Sequence, residues 1–361
     1  MKNKQTYLPN PYEKLPSECF WKSGVVDEDP LNIKSIYTKK FKIEKDTCVA
    51  SAGSCFAQHI SKYLLLNGFN VVDKEKAPHG FPESLKSSYG YNMFSARFGN
   101  IYSVKQLLQL AKEVAGLLKP KGYIWMKGDK FYDAFRPSIE PNGFISKSEL
   151  NKHRKFHLSK VKDMFEEMDI LIFTMGLTQA WTNKDNQLVY PSAPGTIAGE
   201  FNPLKYKLVN AEYDEILNDF NEFTQILSTL RTKPEKCKFI LTISPVPLTA
   251  TGINEHVLLS SIYSKSVLRA VAGKLSQNHN IDYFPSYEIV NNPRLKFSPF
   301  EENLRTVKKS TVDNVMKHFF AEHKPIQEDE DNDSFKKNIE IDAQCEDALL
   351  ESFKNNEVKT N

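Results

Sequence analysis

Two kinds of pattern alternate along this chain. Short apolar runs recur at 47–52, 169–174, 238–244 and 281–284. Runs of that length, bounded by glycine or proline, read as strands buried on both faces. Between them apolar residues fall three or four apart, which predicts helices over 56–67, 104–118, 146–167, 214–231, 260–277 and 311–321. Residues 69–72 read as a further strand, so a βαβ unit opens the fold. Local signals agree with these boundaries. Gly68 offers a left-handed helix cap, Ser146 with Glu149 forms a capping-box pattern, and Gly128-Asp129 sits between two β-forming stretches as a hairpin turn.

Apolar strands that each follow a helix and end in a Gly- or Pro-marked loop predict an α/β fold. The sheet is mainly parallel, in a three-layer α/β/α arrangement. In such sheets the ligand lies beyond the carboxyl ends of the strands. The loops after 52, 174, 244 and 284 should therefore converge on one crevice. An extended, proline-punctuated arm over 1–45 is expected to pack on the core through Phe20, Trp21, Val25, Val26, Leu31, Ile33, Ile36 and Tyr37. The α/β domain spans 46–323. It carries large loop insertions at 77–103 and from 175 to about 203. Residues 324–361 read as a polar tail, disordered or loosely docked.

Charge adds one refinement. The net charge of +3 hides 11 acidic and 4 basic residues in 325–361, so the rest of the chain stands near +10. Such a body suits anionic ligands or is simply a solvated basic surface. No apolar stretch approaches the ~18 residues that span a bilayer, and the N-terminal segment lacks the apolar core of a signal peptide. Five cysteines without metal-like spacing read as reduced thiols in a cytoplasm.

The candidate chemistry centres on Gly53-Ser54-Cys55, a tight turn between the first strand and its helix. A thiol at a helix N-terminus gains from the positive helix end, which favours thiolate, and nearby N–H groups suit an oxyanion. The same spacing also fits a buried, inert cysteine. Ser54 is a weaker nucleophile or a helix cap. Among the eight histidines, His256 is the best base, in the loop after the 238–244 strand. A surface loop histidine fits that position equally. His59 shares a face with Cys55 but is expected to point away from the turn. His153 and His157 lie one turn apart without a third ligand, so no metal site is expected.

Gly53-Ser54-Cys55-Phe56-Ala57 resembles the naming motif of the GSCFA-domain proteins. The likeness extends through Arg97-Phe98-Gly99-Asn100-Ile101-Tyr102, Gly176-Leu177-Thr178-Gln179-Ala180-Trp181, the segment 193–199, Ser244-Pro245-Val246-Pro247-Leu248-Thr249 and the segment 284–289. That family is similar in turn to the SGNH (GDSL-like) hydrolases and acyltransferases, which implies an SGNH or flavodoxin-like fold. The resemblance puts Cys55 in the place of the nucleophilic serine. It implies oxyanion or substrate-binding roles for Gly53, Gly99, Asn100, Gly176, Thr178 and Gln179. The superfamily's final Asp-x-x-His block corresponds to Glu302-Asn303-Leu304-Arg305, so an arginine stands where the base should be. Arginine stays protonated near neutral pH and cannot act as a base. Arg305 is then available for a substrate carboxylate or phosphate, and His256 or a pre-activated thiolate fills the gap.

The expected activity is acyl transfer, acetyl by preference, to a carbohydrate hydroxyl. Its partners are a small acyl donor and a carbohydrate acceptor, with no bound cofactor and acyl-CoA as a possible co-substrate. Neither nucleic acid nor membrane insertion is expected. Ester hydrolysis by Ser54 or Cys55, and a non-catalytic fold that binds a glycan or nucleotide-sugar, are the alternatives.

Overall fold

The structure is a computed structural model that describes residues 10–233, 237–324 and residue 350. Its centre is a four-stranded parallel sheet in the order β1 (Val49–Gly53), β4 (Ile170–Met175), β8 (Lys238–Ile243), β9 (Ile281–Tyr283). The stretch expected as a second strand contributes one parallel bridge, Val71 to Val49, on the outer side of β1. With that bridge counted, the strand order is that of flavodoxin-like doubly wound sheets, whose switch point falls between β1 and β4.

Side chains alternate across the sheet, and each face carries its own core. Val49, Ile170, Ile172 and Ile240 turn to α1 (Cys55–Leu66) and α8 (Lys309–Glu322). There they meet Phe56, Ile60, Leu64, Val315 and Phe319. Ala50, Leu171, Phe173, Phe239 and Leu241 turn to the opposite layer. That layer is built by α3 (Val104–Val114), α4 (Lys147–Glu167), α5 (Tyr213–Leu230) and α6 (Val257–Leu275). Phe173, Phe220 and Phe223 are fully buried there. Each such side chain contributes about 1.5–3 kcal/mol by leaving water. The result is the expected three-layer α/β/α sandwich.

Local rules explain the element ends. Ser146 caps α4 by accepting the Glu149 N–H at 3.1 Å, and Glu149 returns to the Ile145 N–H at 2.9 Å, one residue earlier than a standard box. The hairpin forms as expected from β2 (Ile124–Lys127) and β3 (Lys130–Asp133), with Gly128 at φ +59° in its turn. Two elements differ from expectation. Within the excursion after β4, β5 (Gln179–Asn183) pairs antiparallel with β6 (Val189–Tyr190) and β7 (Tyr206–Asn210). These strands are two to five residues long. They are too short and too polar for an alternation to show.

The arm also docks further along than expected. Tyr37, Phe41 and Ile43 are buried, and the Tyr37 hydroxyl donates to Asp282 at 3.0 Å. Phe20, Trp21, Val26 and Leu31 stay exposed. Most of the expected tail lies outside the described residues. Among the described residues, no helix is long and apolar enough to cross a membrane.

Candidate active site

β1 ends at Gly53, whose φ of +143° L side chains rarely adopt. Space enforces the same choice, because a Cβ there would lie 2.5 Å from the Thr174 carbonyl oxygen and 2.8 Å from its Cβ. The turn is held from two sides. Ser54 N–H donates to Thr174 O at 3.1 Å, and Gly53 O accepts from Ile101 N–H at 2.8 Å. Ser54 is the N-cap of α1 with extended ψ of 176°, yet its Oγ makes no cap bond and is buried without a partner among the described residues. Cys55 is the first helical residue and only 5% exposed. The helix N-terminus therefore sits at the carboxyl edge of β1 and β4, at the switch point of the sheet.

The loop after β4 packs directly on this turn. Gly176 would bring a Cβ to 3.1 Å from Ser54 Cβ and 3.2 Å from Tyr102 O. Its N–H and that of Leu177 both donate to Tyr102 O, at 2.9 and 3.0 Å. Thr178 N–H donates to Ser264 Oγ at 2.9 Å, and its hydroxyl to Asn210 Oδ1 at 2.6 Å. Gly176 and Thr178 thus spend their donors on framework acceptors and brace the turn. Gln179 opens β5 and takes the Thr251 hydroxyl on Oε1 at 3.0 Å, while its Nε2 is buried without a partner among the described residues.

On the other side, Gly99 (φ +69°) and Asn100 line a cavity of about 450 Å³. Asn100 also takes the Gln58 amide on Oδ1 at 3.3 Å, which ties the cavity wall to α1 three residues after Cys55. The rest of the lining is apolar or hydroxylic, including Met93, Ile139, Ser88 and Thr196, and Lys127 is its one charged residue.

A buried charge network stiffens that wall. Arg154 binds Asp133 at 2.8 and 3.0 Å and also pairs with Glu113. Arg136 bridges Asp133 at 2.8 Å and the Arg97 carbonyl at 3.1 Å. Glu75 accepts the Arg97 N–H at 2.8 Å and bonds His157 Nδ1 at 2.7 Å. Burial works against the Glu75 carboxylate, but His157, Arg136 and the Arg97 N–H outweigh it and hold it down at about 2. His153 instead packs against Phe144, with ring centroids 5.1 Å apart. Among the described residues, no group of three His, Cys, Asp or Glu could hold a metal ion.

Two sequence candidates remain, His256 and Arg305. His256 is exposed and caps α6, taking the Leu258 N–H on Nδ1 at 3.2 Å. Arg305 is half-buried in a turn before α8, its N–H donating to Asn303 Oδ1 at 3.0 Å. Two polar neighbours escaped sequence reasoning. Gln58 is one; its position one turn after Cys55 was the available signal. Lys265 is the other, 3% exposed, with Nζ donating to Gly176 O at 2.7 Å. It ends a buried polar row with Ser260, Ser261 and Ser264, ahead of the buried apolar residues Leu268, Val271, Ala272 and Leu275 on the same helix. That row was the visible clue.

Fold and site together define a class: a doubly wound, parallel α/β protein with a thiol on the helix N-terminus at its switch point. Residues 48–319 match the GSCFA family, which is most of the chain, and the chain belongs to that family. Neither a curated protein nor a solved structure matches it.

Proposed function

We propose that this protein transfers an acyl group, acetyl by preference, to a carbohydrate hydroxyl through a thioester on Cys55. The observation that carries this reading is the placement of Cys55. It is the first residue of α1, at the carboxyl edge of the two central strands, joined through Gln58 and Asn100 to a cavity of about 450 Å³. The similarity to SGNH hydrolases and acyltransferases supports it, since the nucleophile of that superfamily occupies this turn.

In the proposed mechanism the Cys55 thiolate attacks the carbonyl carbon of an acyl donor. N–H groups in the first turn of α1, with Asn100, stabilise the oxyanion, and loss of the donor thiol leaves the acyl-enzyme. The acceptor hydroxyl then displaces Cys55. Gly176, Thr178 and Lys265 hold the turn in place. A cytoplasmic protein would draw on acyl-CoA as donor, and the basic body favours that anionic molecule. Acetyl-CoA turnover, measured with and without a polysaccharide acceptor, tests the reading. Acceptor-stimulated turnover that disappears in Cys55→Ala is expected. Turnover that survives unchanged in the variant refutes it, and turnover indifferent to acceptor replaces transfer with hydrolysis.

A further inference from the structure

We propose that His59 is the proton acceptor of Cys55; this rests on the reading of Cys55 as an acyl-transfer nucleophile. The two residues are four apart on α1, which sets their Cβ atoms about 5–6 Å apart on one face. Side chains on a helix lean back toward its N-terminus rather than onward. The structure shows that lean, because the His59 ring rests against the ring of Phe56, three residues earlier, at 5.7 Å between centroids.

What separates His59 from the other buried histidines is its bonding. His157 is bound at Nδ1 by Glu75. His318 is bound at Nδ1 to Asn314 O and at Nε2 by the Ile33 N–H. His323 is bound at Nε2 by the Tyr37 hydroxyl. The His59 ring makes no hydrogen bond among the described residues, and its Nδ1 is buried without a partner in a residue 8% exposed. A buried nitrogen left open costs stability. Such a cost is common where a group is kept for chemistry. Burial, with Lys62 adding to it, pushes the imidazole down to about 4, so it stands neutral at pH 7 and gains a proton only as the Cys55 thiolate charge forms beside it.

The direction of this face fits as well. Tyr63, one turn beyond His59, bonds Asp313 on α8 through its hydroxyl. α8 is the helix that follows the 302–305 turn. His59 therefore lies on the side of α1 that turns toward α8. In sequence, the final block with Arg305 in the histidine's place comes just before that helix. A histidine supplied by α1 would fill a role that the final block cannot.

The step balances. The Cys55 thiol gives its proton to His59 Nδ1, and the thiolate so formed bonds the acyl carbon. The donor carbon–sulfur bond then breaks, and the leaving thiolate takes the proton back from the imidazolium. In the second half the acceptor hydroxyl gives its proton to His59 as its oxygen forms the ester, and Cys55 leaves as thiolate and takes that proton back from the imidazolium.

The test is the rate of acetyl-adduct formation on Cys55, followed by intact mass with acetyl-CoA. His59→Gln, which fills the space without a base, is expected to slow the rate about 100-fold. His59→Ala should be slow and partly restored by added imidazole, a rescue that a purely structural role would not show. Equal rates in wild type and His59→Gln overturn the proposal alone. So does loss of adduct in His256→Ala with its retention in His59→Gln. No adduct on the wild type removes the acyl-transfer reading, and the proposal with it.

Discussion

Gly176→Ala probes the packing that positions the nucleophile. The added methyl would sit 3.1 Å from Ser54 Cβ and 3.2 Å from Tyr102 O. Both distances are tighter than ordinary van der Waals contact, so a neighbour must yield by a few tenths of an ångström. Tyr102 O is held by two N–H donors. Ser54, whose Oγ has no partner, is the freer of the two. Displacing Ser54 moves the N-cap, and the Cys55 sulfur moves with it. A 1 Å misplacement of a reacting group costs on the order of 100-fold in rate. A shift of a few tenths therefore predicts about a 3- to 10-fold slower acyl-adduct formation, about 1 kcal/mol in the barrier. Overpacking adds about 1–2 kcal/mol of lost stability. Adduct formation on Cys55 is measured by mass spectrometry below the melting transition, with urea unfolding on the same variant. A variant that loses stability but reacts at the wild-type rate would show that Gly176 packs the fold without positioning the nucleophile.

Two further outcomes follow from buried charge. Glu75→Gln removes the carboxylate that His157, Arg136 and the Arg97 N–H share, and urea unfolding should show a loss of about 3–5 kcal/mol; a loss below about 1 kcal/mol would contradict the network's role. His59 is pushed from 6.5 down to about 4, so the unfolded chain takes up its proton first as pH falls. Its stabilising contribution is whole above pH 6.5 and is lost progressively toward pH 4, by about 3 kcal/mol. Urea midpoints at neutral pH and near pH 4.5 should therefore diverge less in His59→Gln than in wild type. An identical acid loss in both refutes the assignment.

The sheet was legible because each of its long strands is a continuous apolar run, and 169–174 or 238–244 admit little else. The helices were legible from their caps, Ser146 with Glu149 above all. The second sheet was not legible. Its three strands pair across intervals of many residues and carry Gln179, Asn183 and Asn210 at their ends, so no local period marks them. The arm was legible only in part. Tyr37 was among its expected contacts, but Phe20 and Trp21 are as apolar and stay exposed, and the Tyr37 bond to Asp282 follows no local pattern.

At the site, the sequence located the turn but not its supports. Gly53 is dictated by its φ and by Thr174, both consequences of strand pairing. Gly176 and Thr178 matched the motif, but only the structure showed where their donors go. His256 looked well placed in its loop, and the structure uses its Nδ1 to cap α6. Lys265 carried no motif at all, because its reach to Gly176 O depends on how α6 packs across the sheet.

The central claim is that Cys55 is an acyl-accepting nucleophile. Intact-mass and peptide-mapping spectrometry after incubation with acetyl-CoA tests it most directly. A single acetyl group is expected on Cys55 in wild type and none in Cys55→Ala. An unmodified wild-type chain, or an adduct that persists in Cys55→Ala, would contradict it.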